Sequence, residues 1–194
     1  MHNRDLRRAV AFVGLANIAY FFVEFGVARH IGSVALFADS VDFLEDAAVN
    51  LLIFVALAWS ARRRAQVGMA LAMLLLVPGI ATAWMAWQKL ASPVAPEPLL
   101  LSVTGLGALA VNVTCALVLT RFRNRSGSLT RAAFLSARND ALANVAVILA
   151  AVATFAWPTG WPDLIVGVAI AIMNADAAHK VWSAARKEDH DARA

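Results

Sequence analysis

Cysteine and charged residues are scarce in this chain of 194 residues, and each scarcity excludes a class of protein. The single cysteine, Cys115, excludes an internal disulfide and any zinc site built from paired cysteines. Charged residues make up only 15% of the chain and hydrophobic residues 61%, whereas a soluble domain has about 25% charged residues. The mean hydropathy is +0.67. This composition excludes an ordinary soluble domain and predicts a membrane protein.

The small excess of positive charge does not indicate a nucleic-acid partner. The chain has 17 Lys and Arg against 13 Asp and Glu, but the basic residues cluster between apolar stretches and do not line one polar face. We interpret them as signals of membrane topology.

Six apolar stretches are each long enough to cross a bilayer, which takes about 20 residues in a helix. Turn and helix-breaking residues separate these stretches. The pattern predicts an all-α, polytopic membrane protein with six transmembrane helices, and one transmembrane domain over residues 1–194 without a soluble domain. The predicted helices cover residues 9–28, 33–59, 67–87, 99–120, 131–156 and 162–182.

The Lys and Arg residues at the ends of these stretches predict the orientation. Arg29 and Lys89 are the two on one side of the membrane, and nearly all the others lie on the opposite side. Since loops rich in Lys and Arg stay in the cytoplasm, we expect both termini there. The location is therefore a cell membrane, crossed several times.

The second predicted helix carries four acids in the stretch ADSVDFLEDAAVN. Asp39, Asp42, Asp46 and Asn50 are spaced i, i+3, i+7 and i+11, which puts them on one helix face. Glu45 lies about 100° around the helix from Asp46. A charged residue at the centre of a membrane helix costs about 2.5–3.5 kcal/mol on insertion scales. Such acids are expected to face the bundle interior, to find a partner, or to have a function.

The fifth predicted helix repeats part of this pattern. Asp46 and Asn50 in DAAVN match Asp140 and Asn144 in DALAN, and both motifs reach the middle of a bilayer core about 30 Å thick. Carboxylates that converge there without compensation would have to take up protons, so we expect a divalent cation as their partner. The candidate metal ligands are Asp42, Asp46, Asp140 and, four residues before Asp140, Ser136.

Further polar residues lie near these candidates. Glu24 and Asp39 are equally compatible with a role beside the ligands or in proton coupling and with simple hydrogen bonding between helices. For Asn17, Asn50, Asn112 and Asn144, hydrogen bonding between helices is the favoured interpretation. The candidates for a role beside the metal ligands or in proton coupling are Asp39, Asn50, Asn139, Asn144 and Glu24.

Two motifs of the chain resemble those of the cation diffusion facilitators. GSVALFADSVDFLED resembles the family pattern G-S-x-A-L-x-A-D-x-x-[HD]-x-x-x-D, and ARNDALANVAVI resembles its fifth-helix D-x-x-x-[SN] continuation. The resemblance implies a secondary transporter and not an enzyme: a proton-coupled exporter of divalent metal with Asp42, Asp46 and Asp140 as ligands. It also implies a homodimer held by membrane helices among lipid, in the inner membrane of a bacterium, with no prosthetic cofactor.

The chain departs from the family pattern in two places. At Ser136 the family usually has His or Asp, which leaves the remaining donor open among Ser136, Asn139, Asn144, Asp39 and water. The family commonly adds a cytoplasmic metal-binding domain, which we do not expect here.

The transported ion and the function also have alternatives. The resemblance favours Zn²⁺, with Cd²⁺ or Co²⁺, whereas a site of oxygen ligands also suits Mn²⁺ or Fe²⁺. A membrane-embedded metal-dependent enzyme and a helical partner subunit that does not transport are the other two readings. The D-G-x-x-A-R motif of a CDP-alcohol phosphotransferase is absent from the sequence.

Overall fold

The computed structural model describes residues 2–56, 61–122 and 128–191, and all regular secondary structure within them is α-helical. The all-α fold of six helices predicted from the sequence is confirmed. The helices are α1 (His2–Ile31), α2 (Val34–Ala56), α3 (Ala61–Ala91), α4 (Pro98–Thr120), α5 (Ser128–Ala156) and α6 (Trp161–Asp191).

Several helices extend beyond the apolar stretches that predicted them. The first begins at His2 instead of residue 9, and the last runs to Asp191 instead of ending at residue 182. The predicted bounds mark only the part that can lie in lipid. Helical hydrogen bonding continues past that part, because the flanking Ala, Arg and Lys residues are good helix formers. Residues 57–59 of the second predicted span lie outside the described residues.

Within the described residues, three helices contain a segment that is long and apolar enough to cross a membrane. These segments are Arg4–Ile31, Pro98–Thr120 and Ala137–Ala156. Helix α2 is not among them, because its four acids fall within a short length of the helix. The position of α2 in the bundle is therefore established by its contacts with other helices and not by its hydropathy.

Helix α2 lies at the centre of the bundle and contacts every other helix. The most extensive packing joins α1 with α2, α4 with α5, and α3 with α6. The N-terminal half of α2 is consequently buried from Val34 to Val41. Large apolar side chains such as Phe22, Trp84 and Leu149 are exposed on the outside of the bundle. This arrangement, with acids inside and apolar residues outside, is that of a protein surrounded by lipid.

A glycine and a serine form the turn between α1 and α2. Gly32 has φ +65°, in the left-handed region that side chains disfavour, so the chain can turn tightly there. Ser33 then caps α2, since its hydroxyl accepts a hydrogen bond from the Leu36 N–H at 3.0 Å. The G-S pair of the family motif thus has a structural role at the start of α2.

Asp163 of α6 is fully buried against the same helix end. It accepts hydrogen bonds from the Ser33 hydroxyl and from the backbone N–H groups of Val34, at 2.8 Å, and Ala35, at 3.2 Å. Lys89 of α3 lies 2.8 Å from Oδ2 of Asp163. An acid at a helix N-terminus also interacts favourably with the helix dipole. The ends of α2, α3 and α6 are therefore joined by one buried polar network.

Helix α6 approaches α2 closely just beyond this network. A Cβ atom at Gly167 would lie 2.7 Å from backbone atoms of Val34 and Ala35, so only glycine fits. Further along, the Asn174 side chain donates a hydrogen bond to the Ala38 carbonyl at 3.1 Å. These contacts hold α2 in position immediately before its acidic residues.

Candidate metal centre

Three contacts define the register of α1 against the antiparallel α2. The contacting pairs are Gly14 with Asn50 (3.6 Å from a Cβ built at Gly14 to the Asn50 Cβ), Tyr20 with Phe43 (ring centroids 5.1 Å apart) and Phe25 with Phe37 (5.3 Å). Between these pairs, the register puts Asn17 opposite Asp46 and Glu24 opposite Asp39.

The polar residues of α1 share one face with its buried apolar residues. Val10, Val13, Asn17, Glu24 and Ala28 are each 0% exposed. Successive residues of this set are three, four or seven positions apart, and these spacings put them on a single helix face. Asn17 and Glu24 therefore point into the bundle and not toward lipid.

A chain of side-chain hydrogen bonds connects α4, α5 and α2. Asn112 donates its amide N–H to Oδ1 of Asn144 at 3.0 Å, and Asn144 donates in turn to Oδ2 of Asp39. All three residues are buried. The hydrogen bonding between helices that was predicted for Asn112 and Asn144 is therefore confirmed. The Asn144 amide thus accepts a bond from Asn112 and donates one to Asp39, so this residue orients Asp39.

The three candidate carboxylates of α2 and α5 face one another. Asp46 is buried, while Asp42 and Asp140 are partly buried. Asp140 lies within hydrogen-bonding reach of Asp46 and is close enough to Asp42 for electrostatic interaction. Among the described residues, however, no three His, Cys, Asp or Glu side chains are close enough to hold one ion. The carboxylates share one region, but they do not form a closed ligand shell by themselves.

The remaining predicted residues have different surroundings. Asn50 donates to the Asp46 carbonyl of its own helix at 2.8 Å, so the hydrogen bond between helices predicted for it is not formed by this amide N–H. Asn139 is exposed and accepts a hydrogen bond from Arg138 at 3.4 Å, away from the carboxylates. The side chain of Ser136 lies outside the described residues.

Several buried polar atoms of α1 and α2 have no hydrogen-bond partner. Within the described part of the chain they are Nδ2 and Oδ1 of Asn17, Oε1 and Oε2 of Glu24, Oδ1 of Asp39 and Oδ1 of Asn50. Leaving a buried polar group unsatisfied costs about 1–3 kcal/mol. Such a group in a native structure needs an explanation, for example an ion or a water molecule that it binds.

Asn17 was not among the site residues predicted from the sequence. A single asparagine in an apolar stretch is a weak signal, because it is usually a hydrogen-bonding residue. Its distance of seven residues from Glu24 was the available indication, since i and i+7 share a helix face.

Most of the chain matches one known protein family. The family model of the cation efflux transmembrane domain matches residues 10–187, which contain every candidate site residue. The chain belongs to the cation efflux family. Members of this family are transporters and not enzymes, so this cation efflux protein exports divalent metal cations and the enzyme reading is excluded. No curated protein matches the chain.

Proposed function

We propose that this cation efflux protein exports Zn²⁺ in exchange for protons, and that Asp42, Asp46 and Asp140 bind the metal. The observation that carries the proposal is the approach of carboxylates from α2 and α5 inside the bundle, at the helix that contacts all the others. Carboxylates at this depth must be neutralised, and a divalent ion supplies two positive charges.

The choice of ion rests on two arguments. The resemblance favours Zn²⁺, which takes four ligands and binds carboxylate oxygens at about 2.0–2.2 Å. The described donors of the site are oxygens, which hard ions such as Mn²⁺ also accept. Zn²⁺ is therefore the first ion to test, with Cd²⁺, Co²⁺, Mn²⁺ and Fe²⁺ beside it.

Proton exchange follows from the same charges. When the metal leaves, the clustered carboxylates are stabilised by taking up protons, and an incoming metal displaces them. With both termini in the cytoplasm of a bacterium, cytoplasmic metal would release protons on binding. Protons from outside the inner membrane would then expel the metal. Metal and protons thus compete for one group of carboxylates.

Transport by purified protein in proteoliposomes tests this function. We expect Zn²⁺ uptake that a pH gradient accelerates, and loss of that uptake in Asp46→Asn and Asp140→Asn, which keep the side-chain shape and remove the charge. Glu97→Gln is the matched control, because Glu97 is an exposed acid at the start of α4, away from the site.

Two results would contradict the proposal. Normal uptake in a well-folded Asp46→Asn protein would exclude this residue as a ligand. Uptake that is indifferent to the pH gradient would leave a metal transporter without proton exchange.

A further inference from the structure

The structure narrows the choice of the remaining metal donor. Asn139 is exposed, and both polar atoms of Asn144 are engaged in hydrogen bonds. Asp39 lies two turns of α2 from Asp46, and Asn144 holds one of its oxygens. None of these residues presents a donor at the level where Asp46 and Asp140 meet.

Asn17 of α1 lies at that level. The contacts of Gly14 with Asn50 and of Tyr20 with Phe43 bracket it opposite Asp46. It is also fully buried, on the face of α1 that packs into the bundle.

A second set of contacts agrees with this position. Val13 of α1 and Ala137 of α5 belong to one buried cluster, together with Cys115 of α4. Because α1 and α5 run in the same direction, Asn17 and Asp140 each lie about one turn beyond their helix's residue in this shared cluster. Among the described residues, α1 and α5 make no direct contact, so these two side chains face the interior from separate helices, with α2 and α4 beside them.

The side chain of Asn17 is available for a ligand. Neither its Oδ1 nor its Nδ2 has a hydrogen-bond partner in the part of the chain that the structure describes, although both atoms are buried. The hydrogen bond between helices that the sequence favoured for this residue is therefore not formed. An amide oxygen is a hard donor of the same kind as the carboxylates around it.

We propose that Asn17 supplies its side-chain oxygen to the metal ion that Asp42, Asp46 and Asp140 bind. This inference rests on the proposed metal site. It adds α1 to the two helices that carry the carboxylates and assigns to position 17 the donor that the family pattern supplies from position 136. A neutral oxygen in this place, where a histidine nitrogen would favour softer ions, makes the site more tolerant of hard cations such as Mn²⁺.

The test is metal binding, measured by calorimetry on the full chain in lipid nanodiscs with Zn²⁺, Mn²⁺ and Co²⁺ as probes. We expect Asn17→Leu to weaken binding roughly 10–100-fold, a loss typical of perturbing the surroundings of a metal site. Asn17→His should raise the preference for Zn²⁺ over Mn²⁺ and shift the absorption bands of bound Co²⁺, because a nitrogen replaces an oxygen ligand.

Thermal unfolding separates ligation from a structural role. Without metal, Asn17→Leu should be at least as stable as the parent protein, since it removes a buried amide that has no partner. Added metal should stabilise Asn17→Leu less than it stabilises the parent protein. Asn174→Leu is the matched control, because Asn174 is a buried amide that makes a hydrogen bond to α2. This variant should lose stability without metal and keep its metal affinity.

The outcomes distinguish the inference from the function on which it rests. If Asp46→Asn loses metal binding while Asn17→Leu keeps it, Asn17 is not a ligand and the carboxylate site stands. If neither change affects binding, the proposed site and the inference both fail. A Co²⁺ spectrum that is identical in the parent and Asn17→His proteins would also overturn the inference.

Discussion

Asn144 of α5 donates a hydrogen bond to Asp39 of α2, and this bond directly joins the two helices that carry the candidate metal ligands. The same amide accepts a hydrogen bond from Asn112 of α4. The Asn144 side chain is therefore oriented with its N–H groups toward α2 and its oxygen toward α4. The position of Asp39 depends on two helices besides its own.

Replacement of these asparagines should have graded effects on stability. Asn144→Ala removes two hydrogen bonds and Asn112→Ala removes one, and a hydrogen bond between membrane helices contributes about 1–2 kcal/mol in model peptides. We expect Asn144→Ala to lower the free energy of unfolding about twice as much as Asn112→Ala. Unfolding of the purified proteins in mixed micelles measures both. Thr114→Val is a suitable control, because the exposed Thr114 hydroxyl donates its hydrogen bond to the Ala110 carbonyl of its own helix. Equal losses for the two asparagines would contradict the chain of bonds.

The ion pair between Lys89 and Asp163 predicts which of two substitutions lowers the stability more. Asp163→Ala removes every hydrogen bond that the carboxylate accepts at the start of α2, and it leaves the buried Lys89 ammonium bonded to the Gly32 carbonyl but without the carboxylate that balances its charge. Lys89→Met leaves the bonds from α2 in place. Breaking a buried pair by removing one partner costs about 3–5 kcal/mol. We expect Asp163→Ala to be the more destabilising change when the two are compared in one unfolding assay. The double variant should be less destabilised than the sum of the two single variants.

The close approach at Gly167 predicts a difference between two glycine substitutions. Gly167→Ala would place a Cβ 2.7 Å from the backbone of α2, where the neighbouring atoms have little freedom to move. Overpacking of this kind costs about 1–3 kcal/mol. Gly26→Ala meets no atom within 4 Å and should be neutral, or stabilising by up to about 1 kcal/mol, because alanine favours a helix. Thermal unfolding of both variants tests the contact, and a neutral Gly167→Ala would refute it.

Acidification should weaken metal binding. Protons and metal compete for the carboxylates, so the metal affinity should fall as the pH is lowered from about 7 to about 5. The same competition predicts that metal binding releases protons in weakly buffered solution. Calorimetry in buffers of different ionisation enthalpy measures both effects. An affinity that is constant over this range, with no proton release, would exclude proton exchange at this site.

Assembly through the membrane helices is a further prediction. Small residues and close packing hold membrane helices together, and α3 and α6 present exposed apolar side chains, among them Ile80, Trp84 and Ile172. In a protein that carries Cys115→Ala, we expect Trp84→Cys to form a cross-linked dimer in native lipid. Leu149→Cys on α5 is the control, since it is equally exposed on another face. Monomers alone in both variants would contradict a dimer through α3 and α6.

The sequence predicted most of the fold, and the site residues that it indicated stay a prediction. Apolar stretches separated by turns indicated the six helices, because a chain in lipid must satisfy its backbone hydrogen bonds within each helix. The spacing of Asp42 and Asp46, and the matching motif at Asp140, indicated which acids face the interior.

Other features depend on contacts that a sequence pattern does not contain. Asp163 and Lys89 lie near the ends of their helices and 74 positions apart, so nothing in the local sequence indicated that they pair. Asn17 looked like an ordinary hydrogen-bonding residue, and only its unpartnered amide in the folded chain distinguishes it.

The cap at the start of α2 has a consequence for the synthesis of the protein. Ser33 and Asp163 are 130 positions apart, and ribosomes add roughly 5–20 residues per second. The first turn of α2 therefore leaves the ribosome several seconds before the carboxylate that caps it exists. During that interval Ser33 alone can cap the helix, while the acids of α2 already lie in the nascent chain. Completion of the bundle at this end must wait for the last helix, so a ribosome that stalls before Trp161 leaves a five-helix intermediate with the N-terminus of α2 open.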